Sequence, residues 1–123
     1  MVPAEVVAFR AAVILVVEDE VLIRISVCDY LRAAGFTVME AGNGREALAI
    51  LKVRADIALV LTDIHMSDGT DGVALIREIR KSYPAIKVIT ASAYRNTEPV
   101  EATVAKPYRL ERLLAVIESV LGR

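Results

Sequence analysis

The stretch Val13-Ile-Leu-Val-Val-Glu-Asp-Glu20 decides how this chain is read. Five consecutive apolar residues, mostly β-branched, leave no polar face. Val13–Val17 therefore predicts a strand buried on both sides, as in parallel sheets covered by helices. Three acids follow at once, and helical periodicity then runs to Ala34 and stops at Gly35. A buried strand that ends in acids and feeds a helix is the opening unit of an alternating α/β chain.

The same alternation continues downstream. Thr37–Met39 reads as a second strand, and Arg45–Val53 as a second helix after the turn Gly42-Asn43-Gly44. Ile57–Leu61 is a third strand, ending in Thr62-Asp63. The turn formers Ser67-Asp68-Gly69-Thr70-Asp71-Gly72 lead to a third helix near Val73–Ser82, closed by Tyr83-Pro84. Val88–Ala91 and Thr103–Ala105 are the remaining strands. The last helix, from about Arg109 to Leu121, aligns Leu110, Leu113, Leu114, Ile117 and Leu121 on one stripe. This order predicts a doubly wound α/β fold with a five-stranded parallel sheet in the flavodoxin-like order 2-1-3-4-5. Only thirteen residues separate Ser92 from Lys106, and Pro99 is among them. The fourth helix, between strands 4 and 5, is accordingly expected to be short or absent. On the first helix, Ile23, Val27, Tyr30, Leu31 and Ala34 should face the sheet. Val21, Ile25 and Cys28 should form a second, outward stripe flanked by Arg24 and Arg32.

Composition sets the outer bounds. A chain of 123 residues, 55% hydrophobic and 25% charged, matches one globular domain. Residues 1–12 read as a leader and 13–121 as the domain. A net charge of −1 without a basic cluster argues against nucleic-acid binding. The single Cys28 excludes an internal disulfide framework, and the single His65 disfavours a histidine metal site or a Ser-His triad. The longest apolar run, Ala11–Val17, is seven residues, far short of the roughly 18 a membrane span requires. No membrane partner is expected, and the location expected is cytoplasmic.

In this fold ligands bind beyond the carboxyl ends of the strands, where strand order reverses. Glu18 and Asp19 end strand 1, Asp63 ends strand 3, Ser92 ends strand 4 and Lys106 ends strand 5. Three carboxylates converging on one edge need a compensating cation. Hard oxygen donors that leave positions for water suit Mg²⁺. Asp63, the most central acid, is a candidate nucleophile toward phosphorus. Mg²⁺, Lys106 and the Ser92 hydroxyl would each take one phosphoryl oxygen. Thr90 rivals Ser92 because it shares the same side of the strand.

The segments Ile14-Leu-Val-Val-Glu-Asp-Glu20, Leu59-Val-Leu-Thr-Asp-Ile-His-Met66, Asp71-Gly72, Ser92-Ala93 and Lys106-Pro107-Tyr108 together resemble the receiver domain of two-component response regulators. The resemblance implies that Asp63 is the phosphorylated aspartate and that Asp19 ligates Mg²⁺ directly, with Glu18 acting through water. It implies the His65 backbone carbonyl as a further ligand, Ser92 as the switch hydroxyl, and Lys106 as the lysine whose bond to the following proline is typically cis. The partner implied is a sensor histidine kinase or a histidine phosphotransfer protein, with a further downstream protein unnamed. The chain would be a stand-alone switch in a phosphorelay, catalysing only its own phosphorylation and dephosphorylation. Ser67 replaces the family's usual proline. Thr103 stands at the usual aromatic switch position, for which Tyr94 could substitute. The competing readings are a receiver-like binding module that is never phosphorylated and a small Mg²⁺-dependent phosphatase. The latter generally carries a second acid two residues after its nucleophile, where this chain has His65.

Overall fold

A computed structural model describes residues 12–66, 72–93 and 98–122. The leader up to residue 11, the 67–71 loop and Tyr94 lie outside the described residues. The elements are β1 (Val13–Val17), α1 (Val21–Ala33), β2 (Thr37–Ala41), α2 (Gly44–Val53), β3 (Ile57–Asp63), α3 (Gly72–Ser82), β4 (Lys87–Ser92), β5 (Ala102–Ala105) and α4 (Leu110–Val120). All neighbouring strands pair in parallel, in the order β2-β1-β3-β4-β5. The expected doubly wound sheet is thus the observed one.

The period of two along β1 divides the core into two layers. Val13, Leu15 and Val17 pack under α2 and α3, with Leu51, Leu75, Ile76 and Ile79. Ile14 and Val16 pack under α1 and α4, with Leu31, Leu113 and Ile117. Fully burying one such side chain contributes about 1.5–3 kcal/mol, so a strand apolar throughout is stable only between two helical layers.

Local signals place the helix ends. After α1, Gly35 adopts φ 103°, its amide donates to Arg32 O at 3.0 Å, and the Phe36 amide donates to Leu31 O at 3.1 Å. This paired closure needs a left-handed residue, which is why the helix stops at glycine. At the start of α2, the Asn43 side chain accepts from the Glu46 amide at 2.9 Å, while the Glu46 carboxylate accepts from the Gly42 amide at 2.7 Å. The Asn43 side chain satisfies an amide that the first turn leaves open, and the Glu46 carboxylate ties the turn before the helix back onto it.

Two expectations change. Strand β2 runs two residues further than its sequence pattern suggests, through Glu40 and Ala41, which pair with Val16 and Val17. A charged residue continues this edge strand because Arg24 and Arg32 hold the Glu40 carboxylate at 3.3 and 3.1 Å. The second stripe of α1 is also revised. Cys28 is fully buried against the core, and Val21 and Ile25 are joined on the exposed face by Leu22. The Arg24 and Arg32 links to Glu40 draw that flank of α1 onto β2, which closes Cys28 from solvent.

Between β4 and β5, Ala93 and residues 98–101 are not helical. Arginines of α3 hold the returning segment. Arg77 pairs with Glu98 at 2.9 Å. Arg80 donates to the carbonyls of Pro99 and Ile86 at 3.0 and 3.3 Å and to the Glu101 carboxylate at 2.7 Å. Glu101 in turn accepts from the Val88 amide at 2.6 Å. Among the described residues, no helix is long and apolar enough to cross a membrane.

Gly72 begins α3 with its amide on Ile64 O at 2.9 Å. A Cβ there would run into the Asp63 carbonyl and lie 2.8 Å from Ile64 Cα, both backbone. Gly72→Ala is expected to destabilise the fold by about 1–3 kcal/mol, because neither neighbour can yield as a side-chain tip would. A urea unfolding midpoint equal to that of the parent chain would show that the close approach is not maintained in solution.

Candidate functional site

The parallel sheet delivers the chemistry to one edge. Glu18 and Asp19 follow β1, Asp63 ends β3, Ser92 ends β4 and Lys106 follows β5. The Lys106 ammonium contacts the Asp63 Oδ2 oxygen and lies 3.5 Å from Glu18 Oε1. Residues 88 and 43 positions apart in sequence thus meet around one cation. The Lys106 amide is anchored on Ser92 O at 2.9 Å, and the Lys106–Pro107 bond is cis, as the resemblance implied.

Glu18 is only 6% exposed. Burial pushes its carboxyl above the ordinary range, with smaller upward contributions from Asp19 and Asp63. The Glu20 amide, at 3.2 Å, and Lys106 oppose the shift. Burial also works to lower Lys106, but Asp63 and Glu18 outweigh it and hold the ammonium above the usual lysine range. Asp63 is held on its other oxygen, where Oδ1 accepts from the His65 amide at 3.2 Å. The His65 side chain itself is exposed.

The two hydroxyl candidates differ in setting. Thr90 is fully buried within the sheet, with its hydroxyl 3.0 Å from that of Thr103. Ser92 is 3% exposed and stands at the carboxyl edge, one position beyond the Ala91 that pairs with Asp63. Thr103 thus forms a cross-strand hydroxyl contact at the position where an aromatic residue was expected on family grounds.

One supporting residue escaped the sequence reading. Arg24 Nη1 donates to Glu18 O at 2.8 Å, tying α1 to the loop that presents the acidic pair. Only its alternation with the buried face of α1 hinted at a structural role, since Glu40, its other partner, lies sixteen residues away. Tyr108, of the Lys106-Pro107-Tyr108 segment, lines the small cavity that also touches Glu18, Thr62 and Asp63.

Among the described residues no three acidic or His/Cys side chains form a ready metal cage. Mg²⁺ does not require one, because it binds through one or two carboxylates and keeps several waters. Glu18 and Asp63 share a single ammonium, and Asp19 stands beside Glu18, which leaves a surplus of negative charge on hard oxygen donors, a set that suits this ion.

Residues 14–118 match the response regulator receiver domain family. The chain belongs to that family. It is 36% identical over 123 residues to the sensor kinase CckA of Brucella abortus, covering 92% of this chain and 13% of that protein. It is 36% identical over 118 residues to the transcriptional regulatory protein ZraR of Escherichia coli K12, covering 89% and 26%. The chain therefore spans less than a third of the length of these curated relatives. Among solved structures, a CheY-like receiver domain protein of Methanospirillum hungatei superposes with a TM-score of 0.83 at 28% identity, covering 90% and 94% of the two chains. The response regulator TrrA of Thermotoga maritima, solved in complex with Mg²⁺ and BeF, gives 0.79 at 30% identity, covering 88% and 97%. This is a receiver domain of two-component signalling, a module that typically signals without turning over a substrate. Receiver domains bind Mg²⁺ for phosphorylation and interact with a histidine kinase or phosphotransfer partner.

Lys106→Met removes the only cation that contacts Asp63 and Glu18 among the described residues. The variant is expected to lose about 1–3 kcal/mol at neutral pH, the scale for stranding a buried polar group. Without Lys106 the Glu18 carboxyl rises further. A carboxyl raised in the folded state weakens stability as pH climbs from its unfolded value through its folded one. The deficit relative to the parent should therefore shrink on moving from pH 8 to pH 5, as Glu18 takes up its proton. Urea midpoints at the two pH values measure this, and an unchanged deficit would speak against the contact.

Proposed function

We propose that this receiver accepts a phosphoryl group on Asp63 from a phosphohistidine, with Mg²⁺, and signals by conformational change or by passing the group onward. The observation that carries the reading is the Lys106 ammonium resting on the Asp63 carboxylate at the sheet edge where Glu18 and Asp19 also stand. In the transfer, an Asp63 oxygen forms a bond to phosphorus as the P–N bond to the imidazole breaks, and the imidazole leaves with the electron pair. The Asp63 carboxylate is oriented by the His65 amide and by Lys106. Once Asp63 carries the group, the ammonium can follow the new negative charge onto a phosphoryl oxygen. Ser92, at the carboxyl edge of β4, is the better placed hydroxyl for a second oxygen, because Thr90 lies two positions back, fully buried within the sheet. Asp19, Asp63, the His65 carbonyl and, through water, Glu18 are the ligands we assign to Mg²⁺. The bound ion would offset charge on the phosphoryl oxygens. The chain catalyses only its own phosphorylation and dephosphorylation.

The reading predicts a gain of one phosphoryl group on incubation with acetyl phosphate, seen by intact mass, dependent on Mg²⁺ and absent in Asp63→Asn. Persistent labelling of Asp63→Asn at the parent rate would reject Asp63 as acceptor. Absence of any label on the parent chain would favour the binding module that is never phosphorylated.

The phosphodonor is a sensor histidine kinase or histidine phosphotransfer protein, and we place its docking surface on α1. Val21, Leu22 and Ile25 are 53%, 82% and 45% exposed beside the site. Leu22 also lines a mainly apolar groove of about 550 Å³ that reaches Lys106, Pro107, Tyr108 and Leu110. Leu22→Glu is expected to slow transfer from the phosphohistidine protein by about tenfold or more, the scale of losing a buried contact, while labelling by acetyl phosphate is unchanged. Ile25→Glu should act in the same direction. If both transfers proceed at the parent rate in both variants, the donor binds elsewhere.

A further inference from the structure

Two hollows meet at Tyr108. The apolar groove is walled by Leu22, Ile23 and Ser26 of α1 and by Pro107 and Leu110 of the loop and helix opposite. The smaller hollow, of about 10 Å³, lies against the acceptor, walled by Glu18, Thr62 and Asp63 and by the core residues Val16, Val17, Leu61 and Ala91. Val27 and Tyr108 line both. Val27 is buried in the middle of α1 and is fixed there by its helix. Tyr108 lies in the short link between β5 and α4, half-buried against the α1 side of the core. The groove and the acceptor are thus parted by Val27, by the Tyr108 ring and by Lys106, which lines the groove and contacts Asp63.

We infer that the Tyr108 ring is a shield that sets the lifetime of the phosphorylated site by keeping groove water from Asp63. The inference rests on the assignment of Asp63 as acceptor. In hydrolysis, a water oxygen forms a bond to phosphorus while the bond from phosphorus to the Asp63 oxygen breaks. The carboxylate departs with the electron pair, the water's proton passes to phosphate or solvent, and inorganic phosphate is released. The rate depends on water reaching the phosphorus, and excluding water from a site suppresses this side reaction. A planar ring fills such a partition better than an aliphatic chain, which leaves gaps beside it. The phenol adds no charge of its own. Burial above all, with the nearby Glu18 and Asp63, keeps it protonated beyond the ordinary range, although Lys106 pulls the other way. The inference places the work on the ring, which lines both hollows.

The test labels the chain with acetyl phosphate and Mg²⁺, removes the donor, and follows loss of the phosphoryl group by intact mass for the parent, Tyr108→Phe and Tyr108→Ala. The expected result is about tenfold faster decay in Tyr108→Ala, equivalent to about 1.4 kcal/mol of barrier, with parent-like decay in Tyr108→Phe. Labelling by acetyl phosphate should be no slower in Tyr108→Ala, whereas a merely structural lesion would slow labelling as well. Tyr108→Leu, which keeps apolar volume, replaces the alanine variant should that one fail to fold, and is expected to decay faster than Tyr108→Phe. Parent-like decay in the alanine or leucine variant overturns the inference, as does decay in Tyr108→Phe as fast as in Tyr108→Ala. A parent chain that takes no label overturns the assignment of Asp63 instead, and the shield with it.

Discussion

Lys106 is the cation on which the acidic edge depends. Glu18 and Asp63, both largely buried, would otherwise face one another uncompensated, and like charges strongly disfavour joint ionisation there. The ammonium touches both, and both raise its proton affinity despite its burial. This arrangement exists only because β5 lies beside β4 in parallel register, with the Lys106 amide fastened to Ser92 O. The sheet order is therefore a condition of the chemistry. An antiparallel last strand would carry Lys106 to the opposite end of the molecule. Isolated surface ion pairs contribute little to stability, but this one is sheltered, so losing the lysine would leave two acids without compensation.

The short return from β4 to β5 is held in a different way from the rest of the fold. Where a crossover helix would bury an apolar stripe, the described part of this segment is fastened by the guanidinium groups of Arg77 and Arg80. Burial alone would raise Glu101, but its hydrogen bonds to Arg80 and the Val88 amide prevail and hold its carboxyl below the usual range. Planar guanidinium groups suit this task because they present several donors in fixed directions. The consequence is a face between α3 and β5 that is polar and directional.

On the other side of the sheet, α1 serves four neighbours at once. Its inner face packs on β1 and α4, Arg24 and Arg32 bind it to Glu40 of β2, and Arg24 steadies the Glu18 carbonyl. The exposed apolar residues at its amino-terminal half are therefore carried by a helix with little freedom to shift. A rigid platform beside the acidic edge limits the entropy lost when a partner docks.

Much of this was legible in the chain itself. The unbroken apolar runs at Val13–Val17 and Ile57–Leu61 required two covering layers, and that requirement led to strand order and to the edge where Glu18, Asp19, Asp63, Ser92 and Lys106 gather. Gly35 and the Gly42-Asn43-Gly44 turn announced helix ends because their signals act within a few residues. The extension of β2 through Glu40 was not legible, nor was the burial of Cys28, because both depend on arginines that reach across from another element. The meeting of groove and small cavity at Tyr108 was hidden for the same reason. Periodicity and turn chemistry are local properties that sequence order alone can express. The partners of a charged or aromatic side chain are chosen by distances between elements, and those exist only once the sheet and its helices have packed.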